Sequence, residues 1–144
     1  MTEQEVYQEV GQLLWSLMPQ EAKIIFYTGT IYPEHNSWLT TFILRNSDEV
    51  NSFGFEESLQ VVELKILDLM GNLQKITNGE KWTHFTISLD ENAKFKIDFA
   101  YIPEEDSWTS LHMKGISDLT KEEVLETAIP LELWEERVKL KTKK

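Results

Sequence analysis

Residues 82–89 and 94–101 each alternate apolar and polar side chains, and that pattern constrains the fold more than any other stretch of the chain. In the first run Phe85, Ile87 and Leu89 are separated by Thr86 and Ser88. In the second, Phe95, Ile97, Phe99 and Tyr101 are separated by Lys96, Asp98 and Ala100. Successive side chains of an extended chain point to opposite faces, so two such runs joined by a short polar loop predict a β-hairpin with one buried face. Asp98 points outward beside Lys96, where a cross-strand ion pair is expected. The hairpin carries no recognisable chemistry of its own.

The remaining segments supply what covers that face. Val6, Val10, Leu13, Leu14 and Leu17 form one apolar stripe, predicting a helix over 3–18 that opens on a Thr2/Glu5 capping box and closes at Pro19. Residues 23–32 and 38–45 are rich in β-branched and aromatic side chains and flank Pro33-Glu34-His35-Asn36-Ser37, which reads as a second hairpin. A second helix is expected from about Glu56 to Thr77, with Leu59, Val62, Ile66, Leu69, Leu73 and Ile76 on one seam and Asn78-Gly79 as its stop. The same spacing suits a short coiled coil, although packing on a sheet is the favoured reading. Trp108 to Met113 suggests a further short strand. Thr120-Lys121-Glu122-Glu123 starts another helix, and Pro130 either breaks it or opens the first turn of a last one. The order describes an α+β domain: an antiparallel β-sheet of four to five strands, built from two hairpins and packed by an N-terminal, a central and C-terminal helices. No linker interrupts the 144 residues, so one domain over 1–144 is expected, large enough to bury roughly 68–70% of its unfolded surface.

Composition removes several function classes. The chain has no Cys, which excludes disulfides, thiol catalysis and cysteine metal sites and fits a cytoplasmic location. The acidic start Thr2-Glu3-Gln4-Glu5 lacks the order of a signal peptide, and no apolar run approaches the ~20 residues that span a bilayer, so no membrane role is expected. The net charge is −11, from 14 Lys and Arg against 25 Asp and Glu. Residues 131–144 hold five bases and three acids, while residues 1–130 hold nine bases against 22 acids. Such a field repels nucleic acid and favours basic partners.

No reaction centre emerges. Neither GxGxxG nor GxxxxGK[ST] nor GxSxG occurs. His35, His84 and His112 are far apart and have no thiolate to join them, so no metal site and no cofactor are expected. Glu56-Glu57 and Glu104-Glu105-Asp106 could hold a cation or act as an acid/base pair, yet they read as a helix first turn and a solvated turn. Glu63-Leu64-Lys65 imitates a nuclease triplet but falls in a helical pattern, where such a site needs a strand. A compact, acidic, aromatic-rich chain without catalytic residues is a binding module rather than an enzyme.

Gly79-Glu80-Lys81-Trp82-Thr83, then Phe85-Thr86-Ile87, then the run Lys94-Phe95-Lys96-Ile97-Asp98-Phe99-Ala100-Tyr101, resembles the signature of the YezG-like antitoxin family. The opening helix from Tyr7-Gln8 to Leu17-Met18-Pro19 and the strand Lys23-Ile24-Ile25-Phe26-Tyr27 are similar to the family in the same order, so about two-thirds of the chain is covered. Residues 50–55 and the short segment from Pro103 to Met113, where only Trp108 matches, depart from the pattern. The resemblance implies a non-enzymatic immunity protein for a secreted polymorphic toxin, often a nuclease such as an RNase.

Charge and resemblance meet in one expectation. A nuclease carries a basic groove, so an inhibitor presenting carboxylates can occupy it, with opposed charges speeding encounter and aromatic anchors slowing dissociation. Glu104, Glu105, Asp106 and Trp108 are the first candidate toxin-binding face; Glu34, His35 and Trp38 form the second. For both tryptophans, packing inside the fold competes with a contact role. An adaptor or a homodimeric scaffold seamed along the second helix is the alternative.

Overall fold

The computed structural model describes residues 2–53, 57–77, 82–108, 111 and 113–142. They form two compact units, Met1–Phe99 and Ala100–Lys144.

In the first unit, helix α1 (Glu3–Leu17) precedes strands β1 (Ala22–Ile31), β2 (Asn36–Leu44) and β3 (Val50–Ser52), then α2 (Glu57–Ile76), β4 (His84–Asp90) and β5 (Phe95–Ala100). The strands make one five-stranded antiparallel sheet in the order β3-β2-β1-β4-β5. Both expected hairpins are present, and long β1 joins them through its pairing with β4. In that register Ile25 faces Leu89, Tyr27 faces Ile87 and Gly29 faces Phe85. The alternation read from sequence therefore becomes one buried sheet face.

Two helices cover that face. Val6, Val10, Leu14 and Leu17 of α1 and Ile66, Leu67, Met70 and Leu73 of α2 are buried against Ile25, Tyr27, Phe85, Ile87 and Leu89. Each fully buried side chain of this size contributes roughly 1.5–3 kcal/mol relative to exposure. Thr2 caps α1 as expected: its hydroxyl accepts from the Glu5 N–H, and the Glu5 carboxylate accepts from the Thr2 N–H. The α2 seam is spent inside this unit, since Ile66 and Leu73 are buried and Leu59, Val62 and Leu69 pack on the core. Only Ile76 at its end is 43% exposed. Asn78-Gly79, the expected helix stop, lies outside the described residues.

Gln74 ties the helix layer to the sheet, its amide donating to the carbonyls of Ile31 (3.1 Å) and Trp82 (2.8 Å). The turn between β4 and β5 is closed by Asp90, whose carboxylate accepts from the N–H groups of Asn92 and Lys94, both at 2.9 Å. Ala93 in that turn has φ 63°, a left-handed conformation that an L side chain adopts at a cost.

Two expectations are corrected. Lys96 and Asp98 pair along one strand at 3.7 Å, not across strands, because residues two apart on β5 share a face. The fifth strand is Val50–Ser52; the described residues of the segment near Trp108 are not in a strand, and there the Leu111 N–H donates to the Trp108 carbonyl at 2.9 Å. Thr109, Ser110 and His112 lie outside the described residues.

The second unit contains two 3-10 turns (Glu104–Asp106 and Ile116–Asp118), α3 (Lys121–Leu125) and α4 (Leu131–Thr142). Thr120 and Glu123 form the predicted capping box. Pro130 stands at the mouth of α4, its carbonyl accepting from Leu133 and Trp134, so it opens the last helix. Ile116, Leu119, Val124 and Ile129 are the buried core here, with Trp108, Leu111, Leu131, Leu133 and Trp134 packed around them.

Candidate partner-binding site

The first candidate face is built on the turn Glu104–Asp106. Glu104 and Glu105 are exposed, whereas Asp106 turns inward. Its carboxylate accepts from the Ser117 N–H at 3.0 Å and the Ser117 hydroxyl at 2.6 Å, stitching the two 3-10 turns together. Gly115 makes this possible, since a Cβ there would sit 2.2 Å from an Asp106 carboxylate oxygen. Trp108 is half-buried against the second core rather than displayed. Glu104 and Glu105 are thus exposed, Asp106 is bonded to Ser117, and Trp108 packs on the second core.

Asp118 extends the same scaffold. Burial pushes its carboxyl up, but the Lys141 ammonium, the Gly115 N–H and the Lys114 charge together hold it below the ordinary carboxylate range. Glu123 is also held low, first by the Thr120 N–H of the capping box and then by Lys114.

The second candidate face lies at the tip between β1 and β2, closed by the Tyr32 N–H on the His35 carbonyl at 2.9 Å. Glu34 and His35 are exposed there. Trp38 is not part of that surface. It pairs with Gly29 on the core side of the sheet, and its indole N–H donates to the Glu63 carboxylate at 3.0 Å. The same carboxylate oxygen accepts from the Thr40 hydroxyl at 2.6 Å, while the Glu63 carbonyl accepts from the Tyr27 hydroxyl at 2.9 Å. Burial, reinforced by the Glu63 charge, pushes the Tyr27 hydroxyl far up, so it stays a neutral donor. Glu63 is thus a structural pivot between α2 and the sheet. Nothing in its sequence neighbourhood announced this, because its partners lie on strands more than twenty residues away.

Histidine placement was equally illegible. Tyr32 brings two of them together: its ring lies 5.0 Å from that of His35 and 5.8 Å from that of His84. His84 is buried, with Nδ1 2.8 Å from the Thr83 hydroxyl. Among the described residues no group of three or more His, Asp or Glu side chains converges as a metal site. Glu63-Leu64-Lys65 lies on α2, as its helical pattern required. No helix among the described residues is long and apolar enough to cross a membrane.

Exposed carboxylates thus stand on two turns, Glu34 between β1 and β2 and Glu104 with Glu105 in the 3-10 turn. No curated protein matches the chain. A family model described as "Immunity protein YezG-like" matches residues 4–117. The matched span takes in α1 from Gln4 onward, both hairpins, α2 and the Glu104–Asp106 turn, and it includes residues 50–55 and 103–113, which depart from the signature. Over most of its length, this chain belongs to the YezG-like immunity protein family.

Proposed function

We propose that the chain binds and neutralises a cognate secreted polymorphic toxin, a nuclease such as an RNase, in the cytoplasm and without catalysis of its own. Family membership supports the immunity role. The observation that carries the mechanism is the exposure of Glu104 and Glu105 on a turn whose third acid, Asp106, is consumed in anchoring it. A carboxylate pair on a pinned support loses little conformational freedom when it meets a basic groove, so more of the interaction reaches the binding free energy. Glu34 and His35 form the second contact group. Asp106, Trp108 and Trp38, already engaged within the fold, serve as supports.

Charge reversal tests this placement. The double change Glu104→Lys/Glu105→Lys, and separately Glu34→Lys, are compared with the wild type in stopped-flow association with the toxin domain. Steering between opposed charges predicts association about tenfold slower at low ionic strength, with the difference shrinking in high salt. Association rates unchanged for both variants would remove these faces from the interface.

A further inference from the structure

Within the unit Ala100–Lys144 lies a cleft of about 350 Å³, walled by Tyr101, Asp106, Asp118, Arg137, Leu140 and Lys141 among others. Its acids are largely committed: Asp106 to Ser117, Asp118 to the Gly115 N–H and Lys141. Arg137 is not. Its Nε is buried and has no hydrogen-bond acceptor among the described residues. Arg137, on α4, lines the cleft, and its guanidinium joins no ion pair among the described residues. A buried donor without an acceptor is costly, and a ligand that supplies one is favoured for that reason.

We infer that this cleft receives a carboxylate of the partner protein, the side chain of an Asp or Glu on the toxin, gripped by Arg137. The guanidinium offers a planar fork that matches a carboxylate. Tyr101, 57% exposed, and Leu140, 47% exposed, supply apolar walls for the methylene stem of such a side chain. A phosphate dianion fits less well, because Glu105, Asp106 and Asp118 share the walls and repel a second negative charge. The inference rests on the immunity reading for its partner. It adds an anchor of opposite sign to the acidic face, so that a toxin must present both a basic groove and a correctly placed acid.

The test has two arms. In the first, the ¹⁵N-labelled chain is titrated with blocked glutamate (N-acetyl-glutamate methylamide), blocked glutamine and inorganic phosphate, following the Arg137 Nε–Hε resonance assigned from its loss in Arg137→Lys. A saturable shift with the glutamate probe and none with the glutamine probe is expected. No saturable shift, or saturation by phosphate at lower concentration than by glutamate, overturns the inference. The second arm measures dissociation of the toxin complex formed by Arg137→Gln, checked for wild-type melting. Loss of a buried charge-assisted pair predicts dissociation about tenfold faster with association little changed. Dissociation as slow as the wild type overturns the anchor while leaving the immunity reading standing. Glutamate binding in the first arm, with no complex formed by any variant, sinks the immunity reading and leaves the carboxylate site.

Discussion

Gly29→Ala is the sharpest test of how the sheet is packed. Gly29 lies opposite Phe85 on one side and Trp38 on the other, on the buried face of the central strand. A Cβ there would sit 2.4 Å from Phe85 Cζ and 2.6 Å from Cε1. Carbon atoms in favourable contact stand about 3.5–4.0 Å apart, so the methyl intrudes by roughly 1 Å. Phe85 has little room to withdraw: it is fully buried, stacked on Tyr27 at 6.0 Å and edge-on to Trp82 at 5.7 Å. Tyr27 is itself fixed by its bond to the Glu63 carbonyl. Overpacking a close-packed core costs about 1–3 kcal/mol, and a site this rigid belongs at the upper end, about 3 kcal/mol. For a chain of this size each kcal/mol lowers Tm by about 2–4 °C, giving a fall of about 6–12 °C. Thermal melts followed by circular dichroism read the loss. Phe85→Leu in the same background should recover at least about 1 kcal/mol relative to the sum of the single changes. A Gly29→Ala protein melting within about 2 °C of wild type, or strict additivity with Phe85→Leu, would refute the packing argument.

Asp106→Ala strands the Ser117 N–H and hydroxyl, and should destabilise residues 100–144 by about 2–3 kcal/mol, read as faster amide exchange in that unit. Because Asp118 is held below its unfolded pKa, its share of stability is complete above the unfolded value and is lost as pH falls below about 4 toward the folded one; Asp118→Asn should therefore flatten the acid limb of a stability–pH curve, and an unaltered limb would contradict the assignment. Ala93→Gly relieves a left-handed φ of 63° and should raise stability by about 0.5 kcal/mol after the entropy of the unfolded glycine is counted, measured as a shift in urea midpoint.

What is legible in the sequence follows the range of the forces involved. Capping boxes at Thr2 and Thr120, the apolar stripes of α1 and α2 and the alternation of β4 and β5 are set by neighbours within a few residues, and each was legible from the sequence. Strand β3 was not, since Val50-Asn51-Ser52 is too short and polar to show a period; only its pairing with Thr41, Phe42 and Ile43 makes it a strand. The aromatic Trp108 suggests a strand from sequence, but the residue packs on the second core. At the candidate faces, the acids of the turns were visible as acids. Which candidate residues are drawn into the fold depends on Ser117 and Gly115 for Asp106 and on Glu63 for Trp38, partners contributed by distant segments that no local pattern predicts.

The central claim is neutralisation of a toxin by direct binding, and co-expression tests it first. The C-terminal domain of the product of the gene immediately upstream is expressed in cells with and without this chain, scoring growth and then co-purification. The account predicts growth arrest by the domain alone, full rescue by the chain, and a complex that survives purification. Toxicity without rescue and without a complex would contradict it.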